Sequence, residues 1–520
     1  MAYLISAACG LLLTLALPPL GWWPLAFAIF PVFALTAVAA SARRAFWLGA
    51  AFAAPFFALY ILWLPRSFAE LFGLGFWAVY PGLLAILATF WGLTTWAAWR
   101  LAALTGGNDQ AARATRVLIY LPILWVLVEW ARTQGYFAFP WGTLGYTWLD
   151  SAVGQLAEYG GVYGLSLLVV APAAVLAWPW SRPGGPRTVG VVSSLLLAAA
   201  VIGASFIAGS GAGRAATQAP TSGEYRALLV QGDVDPFGRA ASDTQDLNTH
   251  LRLTEEGAAL NAEAGGPRID LVVWPEGAVL GYSLAAGDAE PLRRAITDSA
   301  TGATFIVGGR VYEAGRNYNS LLALKGGALI GRYDKRFLVP FGERWPLYEQ
   351  LNGLYRAVFS AFGLPMLAST AAGAEVRPLA TDVGLIGAFV CYESVFPQVQ
   401  RDLVALGAEV LVLGTNDAWF GVGTGAWQHF DMGRLRSIET RRWLLRAGND
   451  GVTAAVDPLG RVTAQVPRGV PTSLAVTFET RTDLTFWVRY GGLTPLVLGV
   501  LLLVAMAVAT ALRSRPAQVG

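Results

Sequence analysis

Long apolar segments without charged residues constrain the fold of this chain more than any other feature of its sequence. No Asp, Glu, Lys or Arg occurs from Met1 to Ala42. A helix needs roughly 20 apolar residues to cross the hydrocarbon core of a bilayer. Segments that approach this length lie at 3–18, 24–41, 46–64, 74–99, 117–131, 162–180, 189–209 and 491–512. We therefore predict an α-helical membrane domain of eight transmembrane helices.

Charged residues are concentrated in one part of the chain. They make up 14% of all residues, against about 25% in a typical soluble protein. Residues 224–483 nevertheless have the composition of a water-soluble domain. We predict three parts, which are a seven-helix N-terminal membrane domain at 1–210, a globular domain at 224–483, and a C-terminal helix at 490–512.

The arginines near the predicted helix ends indicate an orientation, because short cytoplasmic loops are enriched in Lys and Arg. One side carries nine of them, namely Arg43, Arg44, Arg100, Arg113, Arg116, Arg182, Arg187, Arg513 and Arg515. The other side carries four, namely Arg66, Arg132, Arg214 and Arg489. We therefore predict a multi-pass membrane protein with both termini in the cytoplasm and the globular domain on the opposite side. In a bacterium these are the inner (cytoplasmic) membrane and its periplasmic side.

Composition argues against two other classes of partner. The net charge is only +3 and the arginines are scattered, so we expect no nucleic-acid binding. Two cysteines and two histidines cannot supply a zinc site in this arrangement. We expect no metal and no cofactor.

One predicted outer loop, residues 133–160, is rich in aromatic side chains, among them Phe137, Trp141, Tyr146 and Trp148. Such residues favour the lipid–water interface. The loop is expected either to be a plain aromatic belt or to form a lipid-facing entrance to the globular domain.

Residues 224–483 show an alternation of strand and helix patterns. Strands are predicted at 225–231, 269–274, 303–308, 319–324, 328–333, 376–381, 385–391, 409–413, 452–456 and 462–466. Helices are predicted at about 240–264 and 428–446, and Glu439, Arg441 and Arg442 are interpreted as a solvated face of the second helix. The pattern favours a mixed α/β sandwich.

Three reactive side chains each follow a buried apolar strand: Glu276, Lys335 and Cys391. A thiolate can attack an acyl carbon, a carboxylate can take the thiol proton, and an ammonium can stabilise the anionic intermediate. Taken singly, each has a simpler interpretation, since a lone Cys is usually a small core residue and Glu and Lys are usually solvated.

The short sequence motifs at and near these residues resemble those of a known family. They are Trp274-Pro-Glu276, Tyr333-Asp-Lys335, Cys391-Tyr-Glu393, Val230-Gln-Gly-Asp233, Tyr318-Asn319-Ser320, Leu338-Val-Pro-Phe-Gly-Glu343, Asn416-Asp-Ala-Trp-Phe-Gly421 and Asn449-Asp-Gly-Val-Thr453. The first three resemble the carbon–nitrogen hydrolase (nitrilase) superfamily. Together, and over nearly the whole chain, they resemble the apolipoprotein N-acyltransferase family.

The resemblance implies an αββα sandwich beside eight transmembrane helices, with Cys391 as nucleophile, Glu276 as general base and Lys335 as the stabiliser of the oxyanion. It implies supporting roles for Glu343, Tyr392, Glu393, Trp274 and Asn319. Lipid contacts are expected from Phe237, Trp419 and Phe420.

The resemblance also implies a reaction. A phospholipid, typically phosphatidylethanolamine, gives an acyl chain to Cys391, and the chain then passes to the N-terminal α-amine of a diacylglyceryl-modified apolipoprotein. A monomer is expected. The alternatives are a membrane-tethered amidase or nitrilase and a catalytically inactive membrane scaffold.

Overall fold

The computed structural model describes residues 1–73, 77–106, 109–182, 185–234, 243–345, 347–361, 370–421 and 423–513. The chain forms two compact units. The first, here called the helical unit, comprises Met1–Arg214 and Tyr490–Gly520, and the second, here called the sheet unit, comprises Ala215–Arg489. The sheet unit is therefore an insertion between helices of the helical unit.

Apolar helices build the helical unit. They are α1 (Ala2–Ala16), α2 (Phe30–Ala37), α3 (Ala42–Tyr60), α4 (Trp63–Phe72), α5 (Tyr80–Gly106), α6 (Gln110–Ala131), α7 (Ala157–Ala177), α8 (Thr188–Gln218) and, after the sheet unit, α15 (Thr494–Arg513). Among the described residues, five helices are long and apolar enough to cross a membrane, or six if the bent pair α3–α4 is one span. Each predicted segment thus overlaps helix within the residues that the structure describes, while eight crossings remain a prediction.

Helices α3 and α5 pack at backbone distance. A Cβ added at Gly49 would lie 2.4 Å from the carbonyl oxygen of Trp91, so no larger residue fits there. The Thr95 hydroxyl donates a 2.8 Å hydrogen bond to the carbonyl of Ala45 and so satisfies a polar group inside the unit. Small residues at such contacts are typical of helices that pack in lipid.

The aromatic loop after α6 is part of the interior of the helical unit. Trp141, Tyr146 and Trp148 are buried, and Trp148 stacks on Trp23 with ring centroids 5.0 Å apart. Phe137 is 61% exposed. A plain aromatic belt is therefore wrong for the three buried side chains, because neighbouring helices cover them.

Two six-stranded sheets form the core of the sheet unit. The first has the order β12-β1-β2-β3-β4-β5, with β1 (Gly223–Gln231), β2 (Leu271–Val273), β3 (Thr304–Glu313), β4 (Arg316–Lys325), β5 (Ala328–Asp334) and β12 (Thr472–Thr480). The second has the order β11-β10-β9-β8-β7-β6, with β6 (Leu379–Thr381), β7 (Gly384–Val390), β8 (Val410–Thr415), β9 (Leu444–Gly448), β10 (Ala454–Val456) and β11 (Val462–Gln465). Strands β7, β8 and β9 run parallel, so their carboxyl ends share one sheet edge.

Four helices pack against the strands of the sheets. They are α9 (Asp243–Glu263), α10 (Glu290–Asp298), α12 (Pro397–Ala405) and α13 (Gly425–Thr440). The sheet unit also contains α11 (Tyr348–Ala361) and α14 (Phe486–Tyr490). Leu253 of α9 shares a hydrophobic core with Leu228 of β1. Helix α12 packs closely on β7, since a Cβ added at Gly387 of β7 would lie 3.5 Å from Leu403 of α12. The layers confirm a nitrilase-like α/β sandwich.

The two sheets face each other at glycines. A Cβ added at Gly414 of β8 would lie 2.8 Å from Leu321 of β4 and 3.2 Å from the backbone nitrogen of Glu276. A Cβ added at Gly308 of β3 would lie 2.0 Å from the carbonyl oxygen of Pro275. Glycine at 414 therefore lets the segment that carries Glu276 approach the second sheet, and glycine at 308 lets that segment pack closely on β3 of the first sheet.

The sequence prediction was wrong about one helix and missed two strands. The helix predicted at 428–446 ends at Thr440, where Arg441 takes a left-handed conformation with φ of 53°. Residues Leu444–Gly448 are strand β9, in parallel pairing with β8, and β12 was not predicted. Tertiary pairing outweighs the local helical preference of this stretch.

Candidate active site

Glu276 lies just beyond β2, where the chain leaves the first sheet. Its Oε1 accepts hydrogen bonds from Nδ2 of Asn319 at 2.7 Å and from Nζ of Lys335 at 3.2 Å. Its Oε2 accepts from the backbone N–H of Asn416 at 3.0 Å. Both oxygens are therefore oriented by groups from other parts of the sheet unit, so the simpler interpretation of Glu276 as a solvated strand end does not hold.

Lys335 follows β5 and is 1% exposed. Its ammonium lies between two carboxylates, 3.2 Å from Oε1 of Glu276 and 2.9 Å from Oε2 of Glu343. Burial alone lowers the pKa of Lys335, but Glu276 and then Glu343 outweigh it and raise that pKa above its ordinary value. A buried ammonium held charged in this way is suited to stabilising an anion.

Glu343 completes the pair of carboxylates around Lys335. It accepts hydrogen bonds from Nδ2 of Asn319 at 2.9 Å and from the backbone N–H of Val339 at 3.0 Å. Burial raises the pKa of Glu343, and the nearby Lys335 ammonium more than reverses the effect, so the net pKa is lowered. Asn319 and Lys335 thus each bridge the same two glutamates.

Cys391 is the first residue after β7 and begins the turn Cys391–Val395. It has a φ of 48°, a left-handed conformation that is uncommon for a residue with a side chain. The residue is 7% exposed. Burial first, and the negative charge of Glu276 second, raise the pKa of the thiol, although Lys335 opposes them. The resting thiol is therefore protonated at neutral pH and needs a base.

Glu393 holds the turn in place. Its Oε1 accepts from the hydroxyl of Tyr333 at 2.8 Å and from the backbone N–H of Arg336 at 2.8 Å. Its Oε2 accepts from the backbone N–H of Val390 at 2.8 Å. Glu393 therefore connects the segment after Lys335 with the residue before Cys391, which is a positioning contact.

The other predicted site residues lie at different distances from this cluster. Trp274 is fully buried in the core and donates from Nε1 to the hydroxyl of Thr254 at 2.9 Å. Tyr392 lies edge-on to Phe396, and Phe420 lies against the ring of His429. Trp419 is partly buried beside Phe420 in the chain. Phe237 lies outside the described residues.

Sequence reasoning missed Asp417, His429 and Arg446, which form a fully buried polar group beneath the Cys391 turn. One signal was available. Arg446 interrupts an otherwise apolar strand, and Asp417 lies inside the word Asn416-Asp-Ala-Trp-Phe-Gly421 that was used for the resemblance. Among the described residues, no cluster of three or more His, Cys, Asp or Glu side chains is suited to a metal ion.

The sheet unit is an α/β sandwich in which Lys335 lies between two glutamates and Cys391 feels the charge of both Glu276 and Lys335, and this arrangement resembles that of the carbon–nitrogen hydrolases. The carbon–nitrogen hydrolase family model matches residues 226–479, and the model of the apolipoprotein N-acyltransferase N-terminal domain matches residues 9–175. The chain belongs to the apolipoprotein N-acyltransferase family.

Relatives from several bacteria agree with both matches. The apolipoprotein N-acyltransferase of Pseudomonas syringae pv. tomato is 32% identical over 98% of this chain and 96% of its own length. That of Bordetella bronchiseptica is 33% identical over 97% and 96%, and that of Geobacter metallireducens is 31% identical over 89% and 87%. The comparison therefore covers both units of the chain.

Solved structures give a more distant likeness. Nit3 of Saccharomyces cerevisiae, a member of branch 10 of the nitrilase superfamily, is 18% identical, with a TM-score of 0.37, and covers 50% of this chain and 91% of its own. A carbon–nitrogen hydrolase from Helicobacter pylori is 16% identical, with a TM-score of 0.37 and coverage of 56% and 96%. Such scores add no weight to the family match.

Proposed function

We propose that Cys391 carries a fatty acyl chain as a thioester between a phospholipid donor and the α-amine of a lipoprotein's N-terminal cysteine. Membership of the family makes the chain an acyltransferase that N-acylates lipoproteins. The residue-level route is our proposal, and one observation carries it. The Lys335 ammonium is buried between Glu276 and Glu343, and Lys335 and Glu276 are both close enough to Cys391 to alter the pKa of its protonated thiol.

In the first half-reaction, Glu276 takes the proton of the Cys391 thiol as the sulfur attacks the ester carbonyl of the phospholipid. The C–S bond forms, and Lys335 stabilises the oxyanion of the tetrahedral intermediate. When the C–O bond breaks, the proton on Glu276 passes to the leaving glycerol oxygen. The products are the acyl-enzyme and a lysophospholipid.

In the second half-reaction, the lipoprotein amine attacks the thioester and gives a proton to Glu276. The C–N bond forms, the C–S bond breaks, and the proton on Glu276 returns to the sulfur. Water must be kept from the thioester during the exchange. The burial of Cys391 and Lys335 supports this requirement.

Family membership indicates a phospholipid donor and a lipoprotein acceptor in general terms, and we propose more specific ones. We propose phosphatidylethanolamine as donor, a diacylglyceryl-cysteine terminus as acceptor, and a monomeric enzyme. We also propose eight crossings, cytoplasmic termini and a periplasmic sheet unit. The arginine bias of nine to four and the apolar helices support that topology.

Intact-mass measurement of the purified protein after incubation with phosphatidylethanolamine tests the route. We expect a gain of one acyl chain, lost in Cys391→Ala and discharged by a diacylated lipopeptide. Cys9→Ala is the matched control, because Cys9 is the second of the chain's two cysteines and is buried in α1, so it should be acylated like the wild type. A gain that survives in Cys391→Ala would contradict the thioester, and discharge by water alone would indicate a hydrolase.

A further inference from the structure

The proposed reaction leaves unused a polar group buried beneath the nucleophile. It comprises Asp417 after β8, His429 on α13 and Arg446 on β9, all of which are fully buried. Placing charged and polar side chains in the interior costs free energy unless they are paired. The hydrogen-bond partners of these three side chains therefore indicate which part of the site they hold in place.

Asp417 is the centre of the group. Its Oδ2 accepts from Nη2 of Arg446 at 2.6 Å, and its Oδ1 accepts from the Thr415 hydroxyl at 3.0 Å and lies 2.9 Å from Nδ1 of His429. Nδ1 also lies 3.1 Å from Nη2 of Arg446. Arg446 is fixed in turn by a 2.9 Å hydrogen bond from Nε to the carbonyl of Val452.

The other side of the imidazole reaches the nucleophile. Nε2 of His429 lies 3.0 Å from the carbonyl oxygen of Cys391 and 2.7 Å from Oγ of Ser394. Because a carbonyl oxygen can only accept, Nε2 carries a hydrogen when it bonds Cys391. Burial and the neighbouring Arg446 lower the pKa of His429, so the ring is neutral and Nδ1 then accepts from Nη2 of Arg446. The ring thereby connects the Arg446–Asp417 ion pair to the backbone that presents the thiol.

That backbone needs an external support. The left-handed φ of Cys391 persists only if surrounding contacts determine it. Strand pairing stops at Val390, which is paired with Gly414, so the Cys391 carbonyl lies beyond the last paired residue of β7.

We infer that Asp417, His429 and Arg446 are positioning residues that hold the Cys391 carbonyl and so aim the thiol at the acyl carbon. The inference rests on the proposed role of Cys391 as nucleophile. A separate Ser–His–Asp active site is the other interpretation of Ser394, His429 and Asp417. It fails because Ser394 is fully buried and because the same imidazole nitrogen contacts the Cys391 carbonyl.

The test compares His429→Ala and Asp417→Asn with a substitution of a buried carboxylate elsewhere in the sheet unit. That carboxylate lies at the opposite edge of the second sheet from the carboxyl ends of β7, β8 and β9. Asp457→Asn is that control, since Asp457 follows antiparallel β10 and accepts the backbone N–H groups of Leu459 and Arg461. All three variants should lower the thermal midpoint. Only the first two should slow acyl-enzyme formation per folded molecule, by about 10- to 100-fold, with KM for the phospholipid unchanged.

A conservative variant and a measurement without lipid distinguish a loss of thiol positioning from misfolding. His429→Gln places an amide N–H near the position of Nε2 and should recover part of the lost rate. Alkylation of Cys391 by iodoacetamide needs no phospholipid, so it reports thiol presentation even if the wild type accepts no acyl chain. Variants with wild-type acylation and alkylation rates, and only a lower thermal midpoint, would overturn the inference.

Discussion

Lys335 is an ammonium with almost no contact with water, which is unusual for a lysine. Two glutamates and the amide of Asn319 surround it as one hydrogen-bonded group. Removing one partner of a buried ion pair leaves an uncompensated charge. The free energy of unfolding that is lost therefore exceeds the loss at a surface ion pair. The roles of Glu276 and Glu343 can therefore be separated by substitution.

Glu343→Gln should slow acyl-enzyme formation without stopping it. The amide can still accept from Val339 but no longer neutralises Lys335. A hydrogen bond to a charged group contributes about 1.5–3 kcal/mol, which corresponds to about 10- to 100-fold in a single-turnover rate. Glu375→Gln is the control, because Glu375 is 61% exposed and pairs with Arg377 at the surface. Equal rates in the two variants would exclude the supporting role of Glu343.

Glu276→Gln should have a larger effect, because an amide cannot accept the thiol proton. General-base catalysis contributes about 10²- to 10⁴-fold. We expect acyl-enzyme formation per folded molecule to fall by about that factor in single-turnover experiments. The thermal midpoint should fall as well, because the buried Lys335 loses one of its two carboxylates. A fall in rate no greater than that of Glu343→Gln would assign the base to another group.

The raised pKa of Cys391 has a measurable consequence. Because burial and Glu276 raise that pKa, the thiolate fraction is small at neutral pH and grows as the pH rises. The iodoacetamide alkylation rate, corrected with Cys391→Ala, should keep rising beyond about pH 8.5, the ordinary cysteine value. A plateau below about pH 8 would mean that the folded protein lowers the thiol pKa instead.

At the scale of secondary structure, strand ends bring the reactive groups together. The chain turns from β2 to Glu276, from β5 to Lys335 and from β7 to Cys391. Period and apolar content predicted these strands, so the three side chains were found from the sequence. Their mutual approach depends on Gly414, which lets the two sheets come close, and on Gly308, which lets the Pro275–Glu276 segment pack on β3.

Gly308→Ala should disturb this approach. The added Cβ would lie 2.0 Å from the carbonyl oxygen of Pro275, next to Glu276. Overpacking costs about 1–3 kcal/mol, so the thermal midpoint and the acylation rate should both fall. Gly287→Ala is the matched control, because a Cβ there meets no atom within 4 Å. Wild-type activity in Gly308→Ala would show that the backbone relaxes without moving Glu276.

Helix α13 and its end show where local patterns fail. Glu439, Arg441 and Arg442 were predicted as a solvated face, yet all three are buried. Arg441 donates to the carbonyl of Pro458, and Arg442 donates to the carbonyls of Ala408 and Asp483. Partners so distant along the chain cannot be read from helical periodicity.

At the scale of the whole molecule, the arginine bias makes a prediction about the orientation of the chain in the membrane. We expect Glu255→Cys, on exposed α9 surface, to react with a membrane-impermeant maleimide added from the periplasmic side. Ala40→Cys, exposed between α2 and α3, should react only after the inner membrane is permeabilised. Cys9 and Cys391 are buried and give little background. The reverse labelling pattern would overturn the topology.

The sequence by itself determined the apolar helices, most strands of the sheet unit and the choice of Glu276, Lys335 and Cys391 as candidate catalytic residues. Those features depend on local apolar content, on the spacing of apolar residues along the chain and on sequence motifs of a few residues. Only the tertiary structure decided that Asn319 and Lys335 bridge two glutamates, and that Asp417, His429 and Arg446 meet beneath Cys391. Residues far apart in the chain form these contacts, and an isolated Asp or Arg in a sequence carries no sign of its partner.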